Sequence, residues 1–244
     1  MEAVPPSTIT PLAGMADALA KQDCRAMDIP ADWTFHNKSV ADNFDRHVRE
    51  QLPWYDIATG LVAHFGRHYL CEGGLMYDIG ASTGNITLHL KKEIEKRQVQ
   101  AVSIDNSEEM KQVWRGVGDF VVSDAESYPY EPYDFAACFL LLMFLPWSKQ
   151  RALLQKLHAK LNPGGCLLIF DKTETFDGYL GTVAHRLTLA GKVATGVPSD
   201  EIVKKELSLA GIQRPIDPAY LLFQQYDSVE VFRFGEFAGW AFTK

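Results

Sequence analysis

No cysteine pair in this chain has C-x-x-C spacing. Cys24, Cys71, Cys138 and Cys166 are scattered, which excludes a zinc knuckle built on paired thiolates. Cys138 and Cys166 fall in apolar runs and read as core thiols of a reducing compartment. No apolar run reaches about 18 residues, so no membrane span is expected. The chain start has no basic segment followed by an apolar one, so no signal peptide is expected and the cytoplasm is the expected location. Positive charge is scarce as well. Lys and Arg number 24 against 31 Asp and Glu, a net charge of -7, which removes the basic face needed for bulk nucleic-acid binding. The seven histidines lack metal-ligand spacing; even His64 and His68, four apart, read as a solvated helix face, and no metal is expected.

The 244 residues are 47% hydrophobic, enough for a large core without staples. After a Pro/Ser/Thr-rich start and a short helix over 15–22, Val40, Phe44, Val48 and Leu52 mark one helix. A wider stripe from Trp54 to Phe65 marks a second, with Pro53 at its start. Trp33, Phe35 and Trp54 read as packing for a helical lid over residues 1–70. From 71 to 244 the pattern is that of a strand–helix domain. Strands are predicted over 75–80, 101–106 and 119–125, within 133–145, and over 166–172. Helices are predicted over 85–96 and from Ser107, and over 148–161, 178–190 and 199–209. The tail reads as a hairpin around Gly235. This is an α/β fold with a mostly parallel, Rossmann-like sheet.

The stretch YDIGASTGN, Tyr77 to Asn85, admits two readings. GASTG fits the nucleophile elbow of α/β-hydrolases, with Ser82 as nucleophile. That elbow needs earlier strands and a histidine late in the chain; here only helices precede it, and the last histidine, His185, lies in a predicted helix. The second reading is a cofactor loop. Gly80 and Gly84 allow a tight turn, and the helix opening at Asn85 offers free N–H groups. Asp78 suits a cationic amino group. Asp105, after strand two, suits ribose hydroxyls. Asp124, after strand three, suits an adenine amino group, beside the backbone of Ala125. Ser82 and Asn85 stand where a dinucleotide loop G-x-G-x-x-G needs glycine, so pyrophosphate is disfavoured. A phosphate-free nucleoside carrying an amino acid fits, which describes S-adenosyl-L-methionine (SAM).

YDIGASTG, SIDNS and LNPGG resemble motifs of class I SAM-dependent methyltransferases, and FGEFAGWAFTK resembles their antiparallel C-terminal hairpin strand. The resemblance implies a seven-stranded sheet. DWTF at 32–35 and the segment from Val40 to Val62 also resemble the N-terminal region of carboxy-SAM synthases, which make a carboxylated SAM from prephenate for tRNA wobble-uridine modification. That resemblance implies Tyr55 at the amino-acid end of the cofactor and Gly80, Ala81 and Ser82 along its loop. It places Asp105 and Asn106 at the ribose, and Asp124 and Ala125 at the adenine. Where that family has Asn at the end of strand four, this chain has Phe139, and where it has a late basic residue this chain runs into QRPIDPAYLLFQQ, with Arg214 as the candidate substitute.

The function expected is methyl transfer from SAM. Carboxy-SAM synthesis, with carboxy-SAM as cofactor, and an inactive SAM-binding module are the alternatives. A small-molecule acceptor fits the acidic charge, with RNA or protein acceptors left open and a homodimer as a further expectation. No catalytic residue is identified. Asp171, Glu174 and Asp177 are candidates for the substrate side.

Overall fold

In the computed structural model, which describes residues 29–174, 178–218 and 227–244, a seven-stranded sheet has the order β3-β2-β1-β4-β5-β7-β6. The parallel strands are β1 (Leu75–Ile79), β2 (Gln100–Asp105), β3 (Asp119–Val122), β4 (Tyr133–Phe139) and β5 (Leu161–Lys172). A hairpin of β6 (Ser228–Phe234) and β7 (Phe237–Thr243) adds β7 antiparallel to β5. The chain order reverses beside β1, so β1 and β4 diverge into a crevice at their C-terminal ends, the place where open α/β sheets bind ligands.

Alternation along each strand splits the apolar side chains between two cores. Met76, Phe135, Ala137, Cys166 and Leu168 face one layer. It is made of α1 (Lys38–Gln51), α2 (Tyr55–Tyr69), α3 (Asn85–His89) and α4 (Lys91–Arg97). Tyr77, Ile79, Ala136, Leu167 and Trp240 face α6 (Trp147–Lys160). The core under α2 runs without a gap into the sheet, so the boundary drawn at residue 70 is not a break in packing. A third, smaller cluster joins Trp33, Val40 and Ala41 to Met110 of α5 (Glu108–Val113) and to Leu209, just past α8 (Ser199–Ser208). Helix α7 (Tyr179–Ala194) lies against α1, where Thr195 donates to the Glu50 carbonyl at 2.6 Å.

Three predicted elements differ in detail. The helix over 85–96 is two short helices, because Leu90 leaves helical geometry at φ -97° and ψ 2°. The strand expected within 133–145 is Tyr133–Phe139; it ends where Leu140 takes φ +57° and a 3-10 turn follows over Leu142–Phe144. The N-P-G-G segment does not separate helix from strand but forms the irregular start of β5. Helix α2 begins at Tyr55, two residues beyond Pro53. The expected helix over 15–22 and the extended chain start lie outside the described residues.

Candidate cofactor site

The loop after β1 turns on two residues with positive φ, Gly80 at +76° and Ser82 at +48°. A side chain at Gly80 would press on Leu141 at 3.0 Å, so glycine is needed there for both space and conformation. Ser82 occupies a left-handed conformation that costs an L residue energy. Asp105 offsets this cost by accepting the Ser82 N–H at 2.8 Å through one carboxylate oxygen. The other oxygen accepts the Ser107 N–H at 3.0 Å. The Ser82 hydroxyl meets the Met110 sulfur at 3.5 Å, not a histidine, so it has no partner that could activate it as a nucleophile.

Beside this loop lies a cavity of about 240 Å³. Of the residues expected at a cofactor, it brings together Tyr55, Asp78, Gly80, Ala81, Ser82, Asp105, Asn106, Asp124, Ala125 and Phe139. Gly84 is not part of the lining. It sits behind the loop at φ +84°, where a side chain would collide with Trp114 and the Gly116 backbone. Asp124 caps no helix with its carboxylate; it accepts from the Asn106 amide at 2.9 Å.

The electrostatics of the cavity are one-sided. Asp78, Asp105, Asp124 and Glu126 line it. His36, which lies 3.7 Å from Glu109, is the basic residue among the described lining, and no Lys or Arg is present there. Asp78 is buried and one of its oxygens has no hydrogen-bond partner. Burial, then the nearby Asp105 carboxylate, push the Asp78 carboxyl up to about 7, against the Thr87 backbone amide. Burial also raises the Asp105 carboxyl, against the amides of Ser107 and Ser82. Such a site is suited to a positively charged ligand and unsuited to phosphate.

Several residues in or beside the cavity carried no signal in the sequence. Asp45 of α1 accepts from Thr83 at 2.7 Å and from Asn85 at 2.8 Å, and pairs with Arg115, tying α1 to the cofactor loop. Asn85 also donates to the Tyr55 hydroxyl at 3.1 Å, whose proton is held on by burial, raising its pKa to about 12. Leu140, with its positive φ, and Phe144 close the cavity above Phe139, whose ring meets Tyr55 edge-on at 5.7 Å. Among the aromatic residues expected as lid packing, Trp33 and Phe35 line the cavity, whereas Trp54 packs on Phe232 and Phe237. Asp171 does not face the cavity. It is fully buried and accepts the N–H groups of Met143 and Lys172, bracing the 3-10 turn. Glu174 lines a separate groove with Trp147 and Arg151, and Asp177 lies outside the described residues.

Residues 76–165 match the family described as "Methyltransferase domain". The match covers the strand–helix core of the chain, and the fold is that of class I methyltransferases. The chain is 26% identical over 192 residues to a carboxy-SAM synthase of Staphylococcus epidermidis, covering 77% of this chain and 84% of that one. It is 28% identical over 208 residues to a carboxy-SAM synthase of Shewanella sp. (strain ANA-3), covering 80% and 85%. In fold it is similar to the plantazolicin methyltransferase BpumL, solved with S-adenosylhomocysteine (SAH), with TM-score 0.59, 12% identity, and 85% and 90% of the two chains covered. It is also similar to human N-acetylserotonin methyltransferase, solved with SAM, with TM-score 0.56, 15% identity, and 88% of this chain and 60% of that one covered. The cavity fits such a cofactor: the orphaned Asp78 oxygen matches an ammonium group, and the acids surround what would be a cationic ligand. Among the described residues, no helix is long and apolar enough to cross a membrane.

Proposed function

We propose that this chain is a SAM-dependent methyltransferase and moves a methyl group from SAM to a nucleophilic atom of a small-molecule acceptor. The observation that carries the reading is the acid-lined cavity free of Lys and Arg, with the unpartnered Asp78 carboxylate at its floor. When bound, SAM supplies a methyl group already activated on a positively charged sulfur. The chain's own residues then have two tasks, alignment and exclusion of water. Asp78 would hold the amino group. Asp105 and Asn106 would take the ribose hydroxyls, since each Asp105 oxygen keeps a free lone pair beside its backbone partner. Asp124 and Ala125 would meet the adenine. Tyr55, Phe139, Leu140 and Phe144 wall the reacting end with apolar surface, which strengthens electrostatic contacts there.

A second reading, carboxy-SAM synthesis, draws on the names of the curated relatives, whose similarity spans most of both chains. Against it stands Phe139, whose ring packs between Tyr55 and Phe170, where the resembled family carries a polar Asn. Mass analysis of the ligand carried through purification separates the readings. SAM or SAH is expected; a carboxylated SAM overturns the first reading in favour of the second. By calorimetry, Asp105→Ala is expected to weaken SAH binding by about 1–3 kcal/mol, the cost of unmatched polar groups. Unchanged affinity would refute the ribose assignment.

A further inference from the structure

Behind the aromatic wall of the cofactor cavity lies a second cavity of about 110 Å³. The two share Trp33, Phe35, Phe44, Leu140 and Phe144. The second is closed by α1, α7, α8 and the end of β5, and its charge is opposite in sign to the first. Lys172, Lys192 and Lys205 line it against one acid, Glu206. Lys192 is matched to Glu206 at 2.6 Å, and Lys172 donates to Gln213 at 3.0 Å. Lys205 has no hydrogen-bond partner. It is 7% exposed and lies over the Trp33 ring. His47, 4% exposed, and Gln51, 6% exposed, also line this cavity, and neither has a hydrogen-bond partner on its polar side-chain atoms.

Three polar side chains buried without partners at one small cavity are costly, unless a ligand completes them. A lysine in that position is costlier still. The aromatic rings beside them suit a flat apolar body. We propose that this second cavity is the acceptor subsite and that it binds the carboxylate end of a small, largely apolar or aromatic acid. Lys205 and Gln51 donate to the carboxylate, while the acceptor's body lies along Phe35, Phe44 and Phe144 toward the cofactor cavity. The proposal rests on the methyl-transfer reading and adds the acceptor class: a cationic donor in the acidic cavity faces an anionic acceptor in the basic one. Burial, then Lys192, against the pull of Glu206, bring the Lys205 amine down to about 5. His47 is brought down to about 3 by burial, then by Lys205, Arg46 and Lys192. Burial thus favours the uncharged amine in the empty cavity, and an arriving carboxylate favours its proton. With Lys192, Glu206, His47 and Lys172 as the other ionisable groups at the cavity, Lys205 is the one whose proton occupancy an anion changes most.

The test uses the full chain saturated with SAH, with benzoate and the neutral benzamide as probes. Benzoate is expected to bind at least about tenfold more tightly than benzamide, the selectivity of one charge-assisted hydrogen bond. Its calorimetric enthalpy should depend on the buffer's ionisation enthalpy, reporting uptake of roughly one proton at pH 7. Lys205→Met should erase both the preference and the proton uptake while SAH affinity stays the same. Its melting temperature should not fall, because a buried amine without a hydrogen-bond partner is replaced by an apolar side chain that still packs on Trp33. Lys205→Gln carries the same expectation for ligand preference should the first variant fold poorly. Absence of benzoate binding, equal affinity for the two probes, or a preference that survives in either variant overturns the proposal. Failure of the wild type to bind SAH would instead overturn the cofactor reading.

Discussion

Asp78 sits at the C-terminal end of β1 with one oxygen unpartnered and a carboxyl that titrates near 7. Only its ionised form pairs with an ammonium group. Ligand binding therefore favours loss of that proton, and affinity should fall as the pH drops below the titration point. SAH affinity is expected to be level above about pH 8 and to decline below 7, approaching about tenfold per pH unit. Asp78→Asn should bind SAH more weakly and lose this dependence; calorimetry between pH 5.5 and 8 checks both. A profile unchanged by the substitution would remove Asp78 from the amino-group role. Asp78 was readable in the sequence because an acid at the end of an apolar strand, two residues before a glycine turn, has few structural uses. Its unpartnered oxygen was not readable, since that depends on what the neighbouring strands leave uncovered.

At the scale of the element, α1 is the part that completes the site. Its apolar stripe of Val40, Phe44, Val48 and Leu52 was visible from spacing alone, and three of these residues are fully or nearly buried. Its polar contribution was not visible. Asp45 is an ordinary acid on a helix until the fold sets it against Thr83, Asn85 and Arg115, some forty and more positions along the chain. Asp45→Ala leaves the Thr83 and Asn85 donors unmatched at a largely buried junction. It is expected to lower stability by about 1–3 kcal/mol, read from denaturant unfolding, and to weaken SAH binding through the loosened loop. A variant as stable as the wild type would mean that α1 is held by its apolar face alone. The helix break at Leu90 belongs to the same scale. Ile86, Leu90 and Ile94 share one core cluster, so the apolar period runs on through a point where the backbone does not.

Among the described residues, burial pushes two carboxyls, Asp78 and Asp171, up from 3.8 to about 7. Between those pH values the folded protein binds protons that the unfolded chain has released. Their contribution to stability is thus fully present below about pH 4 and is lost as the pH rises through 7. The upper bound is on the order of 4 kcal/mol for each group, at about 1.4 kcal/mol per pKa unit. Other carboxylates act in the opposite direction, so the comparison with a variant is decisive. Asp171→Asn keeps an acceptor for the Met143 and Lys172 N–H groups and removes the titration. It should melt higher than the wild type at pH 8, with the gap closing by pH 5. Equal gaps at both values would show that Asp171 is not protonated in the fold.

By itself the sequence determined the α/β class, the order of the strands along the chain, the glycine-turn loop and the acids that follow β1, β2 and β3. These features are local: periodicity, turn residues and strand-end acids are legible within a few positions. Only the tertiary structure decided which of them meet. It set Gly84 behind the loop, against Trp114 and Gly116, and turned Asp171 under the 3-10 turn instead of toward a substrate. It also gathered Lys205, His47 and Gln51, spread over some 158 positions, around one small cavity. Contacts at that separation depend on how helices settle on a sheet, and no local pattern in one chain encodes that.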